Sequence, residues 1–186
     1  MISHRVHRVL RAVSAAAAVL VLGGCMTVRG TGPQPQDPAD FSALPPVSVS
    51  PVPDGFDPRA DAGAAVAAAL AAARGDRRPV LLEFGSATCA DCRALSALSD
   101  APAVHQILSR DYHLVTVDVS HDPGNTALAA HYLRSAAGGP AGGLPELVVL
   151  DPDGSPRPGT GGNRFADAGA LTVDRFAGTL VDWLYR

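Results

Sequence analysis

The chain has 186 residues, 47% of them hydrophobic, which is enough for one domain of ordinary size plus extensions. All 15 basic residues are arginine, and this excludes a phosphate-binding GxxxxGK loop and any lysine Schiff base. Three arginines fall in residues 1–24, so residues 25–186 carry 12 basic against 18 acidic side chains. Such a balance does not favour nucleic acid, which needs a concentrated basic face.

The first 24 residues have the order of a secretory signal. A basic stretch over residues 1–11 precedes an apolar or small-residue run of 11 residues, 12–22, which is too short to span a membrane. The Leu-Gly-Gly-Cys sequence that ends at Cys25 resembles the lipobox of bacterial lipoproteins, in which the cysteine is lipidated and becomes the first mature residue. The alternative is an ordinary secretory signal with a chance cysteine at its edge.

The lipobox resemblance implies a location as well as an anchor. It predicts a protein of the bacterial cell envelope, held to a membrane by lipid on Cys25 and exposed on the extracytoplasmic side. That compartment is oxidising. The two remaining cysteines, Cys89 and Cys92, would then form an even pair where disulfides persist.

A proline-rich segment separates the signal from the rest of the chain. Residues 26–60 hold eight of the sixteen prolines and little periodic apolar pattern, which predicts a linker. We therefore predict three parts: a signal peptide over residues 1–24, a lipidated cysteine with a linker over residues 25–60, and a folded domain over residues 61–186.

The first half of the predicted domain contains three helices and one strand. Its elements are, in order, a helix over residues 64–73 that ends at Gly75, a strand over residues 80–84, a helix over residues 89–98 and a helix capped by Asp100 that runs through Ser109. The strand is almost continuously apolar, which is typical of a buried parallel strand.

The second half of the predicted domain contains three further strands and two helices. Its elements are a strand over residues 112–119, a helix over residues 123–133, a glycine-rich loop over residues 136–143, a strand over residues 147–150, a tight turn over residues 151–154, a second hairpin arm over residues 163–166, and a helix capped by Thr172. This order predicts an α/β domain, with a mixed central sheet and helices on both faces.

Two cysteines stand where the first strand gives way to a helix. Cys89 and Cys92 are three residues apart, close enough on one helical turn to form a small disulfide ring or to share a metal ion. The partial positive charge of a helix N-terminus would stabilise a thiolate at Cys89. Cys92, one turn further along, is expected to be more buried and to act as the resolving thiol.

These residues resemble the thioredoxin-fold family, in the branch of cell-envelope thioredoxin-like CxxC lipoproteins. The resemblance covers residues 76–186 and depends on four features: the Cys-Ala-Asp-Cys sequence after a strand, Glu83 six residues before Cys89, Leu144-Pro145 before the third strand, and the turn at residues 151–154. It implies a thioredoxin-like fold, a buried acid at Glu83 and a cis-proline at Pro145.

The resemblance also implies a catalytic set. Cys89 and Cys92 would form the redox-active disulfide, and Glu83 would relay a proton to or from Cys92 if it is buried. Pro145 would lie beside the thiols and present the Leu144 backbone to a substrate strand. The alternatives without a catalytic role are a Glu83 side chain exposed at the edge of the sheet and an ordinary loop proline at position 145.

We therefore predict a membrane-anchored thiol–disulfide oxidoreductase that needs no cofactor. Its partners would be protein disulfides or thiols and an upstream reductase or oxidase. Asp91 places a negative charge near Cys89, which disfavours the thiolate and favours reduction of partner disulfides over their oxidation. Two alternatives stay open: a module that binds copper or another metal through the same thiols, and an interaction scaffold with a structural disulfide.

Overall fold

A computed structural model describes residues 48–137, 143–161 and 164–186. The predicted signal peptide, Cys25 and most of the predicted linker lie outside these residues. The described elements are α1 (Ala62–Asp76), β1 (Val80–Gly85), α2 (Ala90–Ser99), α3 (Pro102–Asp111), β2 (His113–Asp118), α4 (Pro123–Ala137), β3 (Glu146–Leu150), a short 3-10 helix (Ala168–Ala170) and α5 (Val173–Leu184). None of the described helices combines the length and the apolar character needed to cross a membrane.

The described sheet has three strands in the order β2-β1-β3, with β1 in the centre. β1 pairs in parallel with β2, with Glu83 opposite Thr116 and Gly85 opposite Asp118. It pairs antiparallel with β3, where Glu83 lies opposite Leu147. All six residues of β1 are buried, as expected for a central strand with helices on both faces. The predicted thioredoxin-like α/β fold with a mixed sheet is confirmed.

The two faces of the sheet carry separate halves of the core. Val80, Leu82 and Phe84 point to one face, where they pack in a cluster with residues of α1 and α4. Leu81 points to the other face, in a cluster with residues of α2, α3 and α5. Because side chains alternate along a strand, Glu83 and Gly85 share the face of Leu81. The helix that carries the cysteines covers this same face.

Two predicted helix boundaries are wrong. α1 continues past Gly75, and its left-handed C-cap is Arg77, with φ of 69°. Asp100 ends α2 instead of capping α3, whose N-cap Ala101 makes no side-chain capping bond. In its place Pro102 occupies the start of α3, where its fixed φ and missing N–H suit the first turn.

The predicted second hairpin arm is also wrong. Residues 164–167 form turns, and among the described residues no strand follows β3. The chain instead turns back at once, with a bridge from Leu150 to Pro156 and a bond from the Arg157 amide to the Val149 carbonyl at 2.8 Å. Proline at position 156 has no N–H to donate, so the return cannot extend into a regular ladder.

Candidate active site

Cys89 and Cys92 form a closed disulfide at the N-terminus of α2, with their Cα atoms 5.2 Å apart. The chain reaches this point through a short turn, in which the Cys89 amide donates to the Ser86 carbonyl at 3.2 Å. Cys89 is the N-cap residue, and its Sγ accepts a hydrogen bond from the Cys92 amide at 3.1 Å. Once the disulfide is opened, this amide and the helix dipole favour a thiolate on Cys89.

The two sulfurs differ in exposure, and the difference fixes their order of reaction. Cys92 is fully buried, whereas Cys89 is partly exposed. An incoming thiolate can therefore reach the sulfur of Cys89 but not that of Cys92. Attack on Cys89 releases Cys92 as the leaving thiolate, inside the protein.

Glu83 lies on the sheet face that α2 covers. It is 3% exposed, and among the described residues its Oε1 has no hydrogen-bond partner. Burial raises the pKa of Glu83 to about 8. Glu83 therefore holds its proton at neutral pH in the disulfide form, because burial disfavours the charged carboxylate. The edge-exposed alternative for Glu83 does not apply.

The Leu144–Pro145 peptide bond is cis and lies beside the disulfide. The carbonyl oxygen of Leu144 is 3.6 Å from Cys89 Sγ, although 55 residues separate the two in sequence. Pro145 is buried, and β3 begins at the next residue. The start of β3 thus supplies one wall of the site, and the cysteine turn supplies the other.

The charged side chains next to the cysteines, Asp91 and Arg93, each form a hydrogen bond with a backbone group. Asp91 Oδ1 accepts a hydrogen bond from the Gly169 amide at 3.2 Å, which ties α2 to the 3-10 helix. Arg93 Nη1 donates to the Ala87 carbonyl at 3.1 Å. Both side chains therefore have local partners, so the Asp91 charge is a weaker argument for a reducing pair than the sequence alone indicates.

The described residues bring no further ligand to the two thiols. Within residues 48–137, 143–161 and 164–186, no group of three or more His, Cys, Asp or Glu side chains is arranged to hold a metal ion. Within the part of the chain that the structure describes, the copper-binding alternative thus depends on the two cysteines.

Sequence reasoning missed one residue of the site, Phe56. An added Cβ on Gly85 would lie 2.5 Å from Cζ of Phe56 and 3.0 Å from Cys92 Sγ, so both groups pack directly on this glycine. Phe56 belongs to the segment predicted as linker. The one signal that could have found it is an aromatic residue in a stretch, residues 51–61, that is otherwise rich in proline and aspartate.

A family model and solved structures match the folded part of the chain. Residues 61–152 match a family described as thioredoxin-like. Among solved structures, the chain is similar to a disulphide isomerase from Xylella fastidiosa Temecula1, with 28% identity, a TM-score of 0.62, and coverage of 72% of this chain and 98% of that one. It is also similar to the reduced DsbD C-terminal domain of Neisseria meningitidis, with 26% identity, a TM-score of 0.47, and coverage of 68% and 97%. Comparison with curated proteins gives no match.

The chain belongs to the thioredoxin-fold family. The disulfide between Cys89 and Cys92, at the start of the helix after the central strand, places it with the thioredoxin-like disulfide oxidoreductases of that family.

Proposed function

We propose that the protein is a membrane-anchored thiol–disulfide oxidoreductase of the bacterial cell envelope that reduces disulfides in partner proteins. One observation carries the proposal: a disulfide at a helix N-terminus with one accessible sulfur, Cys89, and one fully buried sulfur, Cys92. A structural disulfide needs no such asymmetry. An exchange reaction does, because its intermediate must form on one thiol and be resolved by the other.

The reducing cycle conserves electrons over two exchange steps. The Cys89 thiolate attacks a partner disulfide, forms a Cys89–partner bond and releases one partner sulfur as a thiolate that takes up a proton. Cys92 then loses its proton and attacks Cys89, which closes the Cys89–Cys92 bond and releases the second partner thiol. The partner gains two electrons and the protein loses two, so an upstream dithiol reductase must restore the open form.

The substrate segment would lie along the cis-proline loop. The Leu144 carbonyl already faces Cys89, so an extended peptide bound beside it would bring its own sulfur to Cys89. The surface to which the peptide binds is backbone, so the class of substrate is set by an accessible disulfide in an extended segment rather than by a particular side chain. The experiment that tests this function compares Cys89→Ser with Cys92→Ser for capture of a partner.

Attachment to a membrane through Cys25 makes a separate prediction. If the lipobox resemblance holds, globomycin, which inhibits lipoprotein signal cleavage, should leave a larger precursor in the cells. Cys25→Ser should release or mislocalise the protein while leaving Cys89 and Cys92 able to form their disulfide. Fractionation of cells with detection of the chain measures both. A wild-type protein that is secreted without lipid would contradict the anchor but not the redox function.

A further inference from the structure

Residues 50–56, called the strap from here on, pack against the thioredoxin-like domain. The family match begins at residue 61, so the strap lies outside it. Pro51 and Pro53 restrict the backbone of the strap, which lowers the entropy cost of holding it in one conformation. The strap is therefore an ordered extension of the domain. It connects the domain to the proline-rich segment that precedes the strap in sequence.

The start of the strap is held at Ser50. The Ser50 amide donates to the Ser109 carbonyl at 2.7 Å, and Arg78 Nη2 donates to Ser50 Oγ at 2.9 Å. Ser50 Oγ also lies 2.9 Å from His113 Nδ1. Asp76 completes the anchor: partial burial acts to raise its pKa, but hydrogen bonds from His113 and Arg78 lower it to about 2.

The end of the strap reaches the redox site. The Thr116 hydroxyl donates to the Gly55 carbonyl at 2.8 Å, and Gly55 has a φ of +74°, a conformation that other residues rarely adopt. The chain turns there and directs Phe56 onto the sheet, where the residue is 9% exposed. An added Cβ on Gly85 would lie 2.5 Å and 2.8 Å from two atoms of this ring.

Thr116 and Gly85 are both neighbours of Glu83. Thr116 is the residue opposite Glu83 on β2, and Gly85 is two residues along β1 on the same face. The strap contacts both of these residues, so it lies over the sheet next to the position of Glu83. Cys92 Sγ lies at the same glycine, 3.0 Å from the position of an added Cβ.

We propose that the strap covers one side of the redox site. Within the strap, Phe56 is a positioning residue whose ring keeps water away from Cys92 and from the Glu83 carboxyl. This rests on the proposed function for the role of the two groups, but the shielding of Cys92 is measurable without turnover. Loss of the ring would open a path from solvent to Cys92. Residues 50–56, which the sequence predicts to be the end of a linker, would then contribute to the redox site.

The test measures alkylation of Cys92 in the full chain with Cys89→Ser, so that Cys92 is not held in a disulfide. Modification is mapped by peptide mass spectrometry, which separates Cys92 from Cys25. We expect Phe56→Ala to accelerate alkylation of Cys92 about tenfold or more and Phe56→Leu to stay within about threefold of the parent, since leucine still fills most of the space. Val49→Ala is the matched control, because Val49 precedes the strap and is 65% exposed.

A second variant keeps the test decisive if Phe56→Ala is poorly folded. In Gly85→Ala the new methyl group collides with the Phe56 ring, so it should displace the ring and also expose Cys92. When Gly85→Ala is combined with Phe56→Ala, it should add little to the exposure of Cys92 that Phe56→Ala already causes. Independent, additive effects of the two changes, or a folded Phe56→Ala protein with unchanged Cys92 alkylation, would overturn the proposal. If Phe56 protects Cys92 from alkylation but the protein reduces no disulfides, the proposed function is contradicted and the role of the strap in covering the site still holds.

Discussion

Cys92→Ser is expected to accumulate the protein as a mixed disulfide between Cys89 and its partners. Cys89 keeps its place at the helix N-terminus and can still attack a partner disulfide. The second step fails, because serine cannot displace the partner from Cys89. Turnover should fall roughly 10⁴-fold or more, the range seen when a catalytic nucleophile is removed. Non-reducing electrophoresis and mass spectrometry of captured complexes measure the accumulation.

Cys89→Ser is the matched control for this trap. It should lose turnover to a similar extent and capture no partner, because its remaining thiol, Cys92, is fully buried. Equal capture by the two variants would show that exchange does not begin at Cys89. If neither captured a partner while the parent's disulfide stayed closed in reductant, the pair would be structural.

Glu83→Gln is expected to slow the opening of the Cys89–Cys92 disulfide by about tenfold to a hundredfold at neutral pH, as for the loss of a general acid. Attack on Cys89 leaves a thiolate on the buried Cys92, and the protonated Glu83 lies on the same sheet face to neutralise it. Since the pKa of Glu83 is raised to about 8, the parent should lose this advantage above that pH. Stopped-flow reduction by a small dithiol across pH 6–9 measures the two rates.

The same substitution should change how stability depends on pH. The folded state holds the Glu83 proton up to about pH 8 and the unfolded state only to about its ordinary 4.5, so the parent loses stability as pH rises between them. The loss is at most a few kcal/mol, and Glu83→Gln should flatten it. Asp118→Asn is the control, because the buried Asp118 carboxylate already accepts hydrogen bonds from the amide and hydroxyl of Ser120.

The rate experiment decides the role of Glu83. If the disulfide opened at the same rate in the parent and in Glu83→Gln at every pH, Glu83 would be a structural residue only.

Local sequence predicts the parts of the site that short-range rules determine. A buried strand followed by Cys-Ala-Asp-Cys indicates the helix start, and the alternation of β1 puts Glu83 on the face that α2 covers. The proximity of Leu144 to Cys89 follows only from the resemblance, since no local pattern joins residues 55 positions apart.

The failures have physical causes. Asp100 is a good capping residue, but Pro102 two positions later begins α3 and leaves Asp100 at the end of α2. Gly75 is a common C-cap, yet α1 continues to Asp76, whose side chain is bound by Arg78 and His113. Phe56 is missed because composition places it in a linker, whereas its burial depends on Gly85, a residue that leaves room for the ring.

The reduction potential of the Cys89/Cys92 pair tests the central claim most directly. Equilibration of the purified protein against glutathione, with the open and closed forms counted by thiol modification, gives this value. A pair that reduces partner disulfides should lie between about −200 and −300 mV, since thioredoxin lies near −270 mV and about 30 mV changes the equilibrium tenfold. A potential near about −120 mV would make the protein an oxidant, and one well below about −300 mV would make the disulfide structural. Either result would contradict the account.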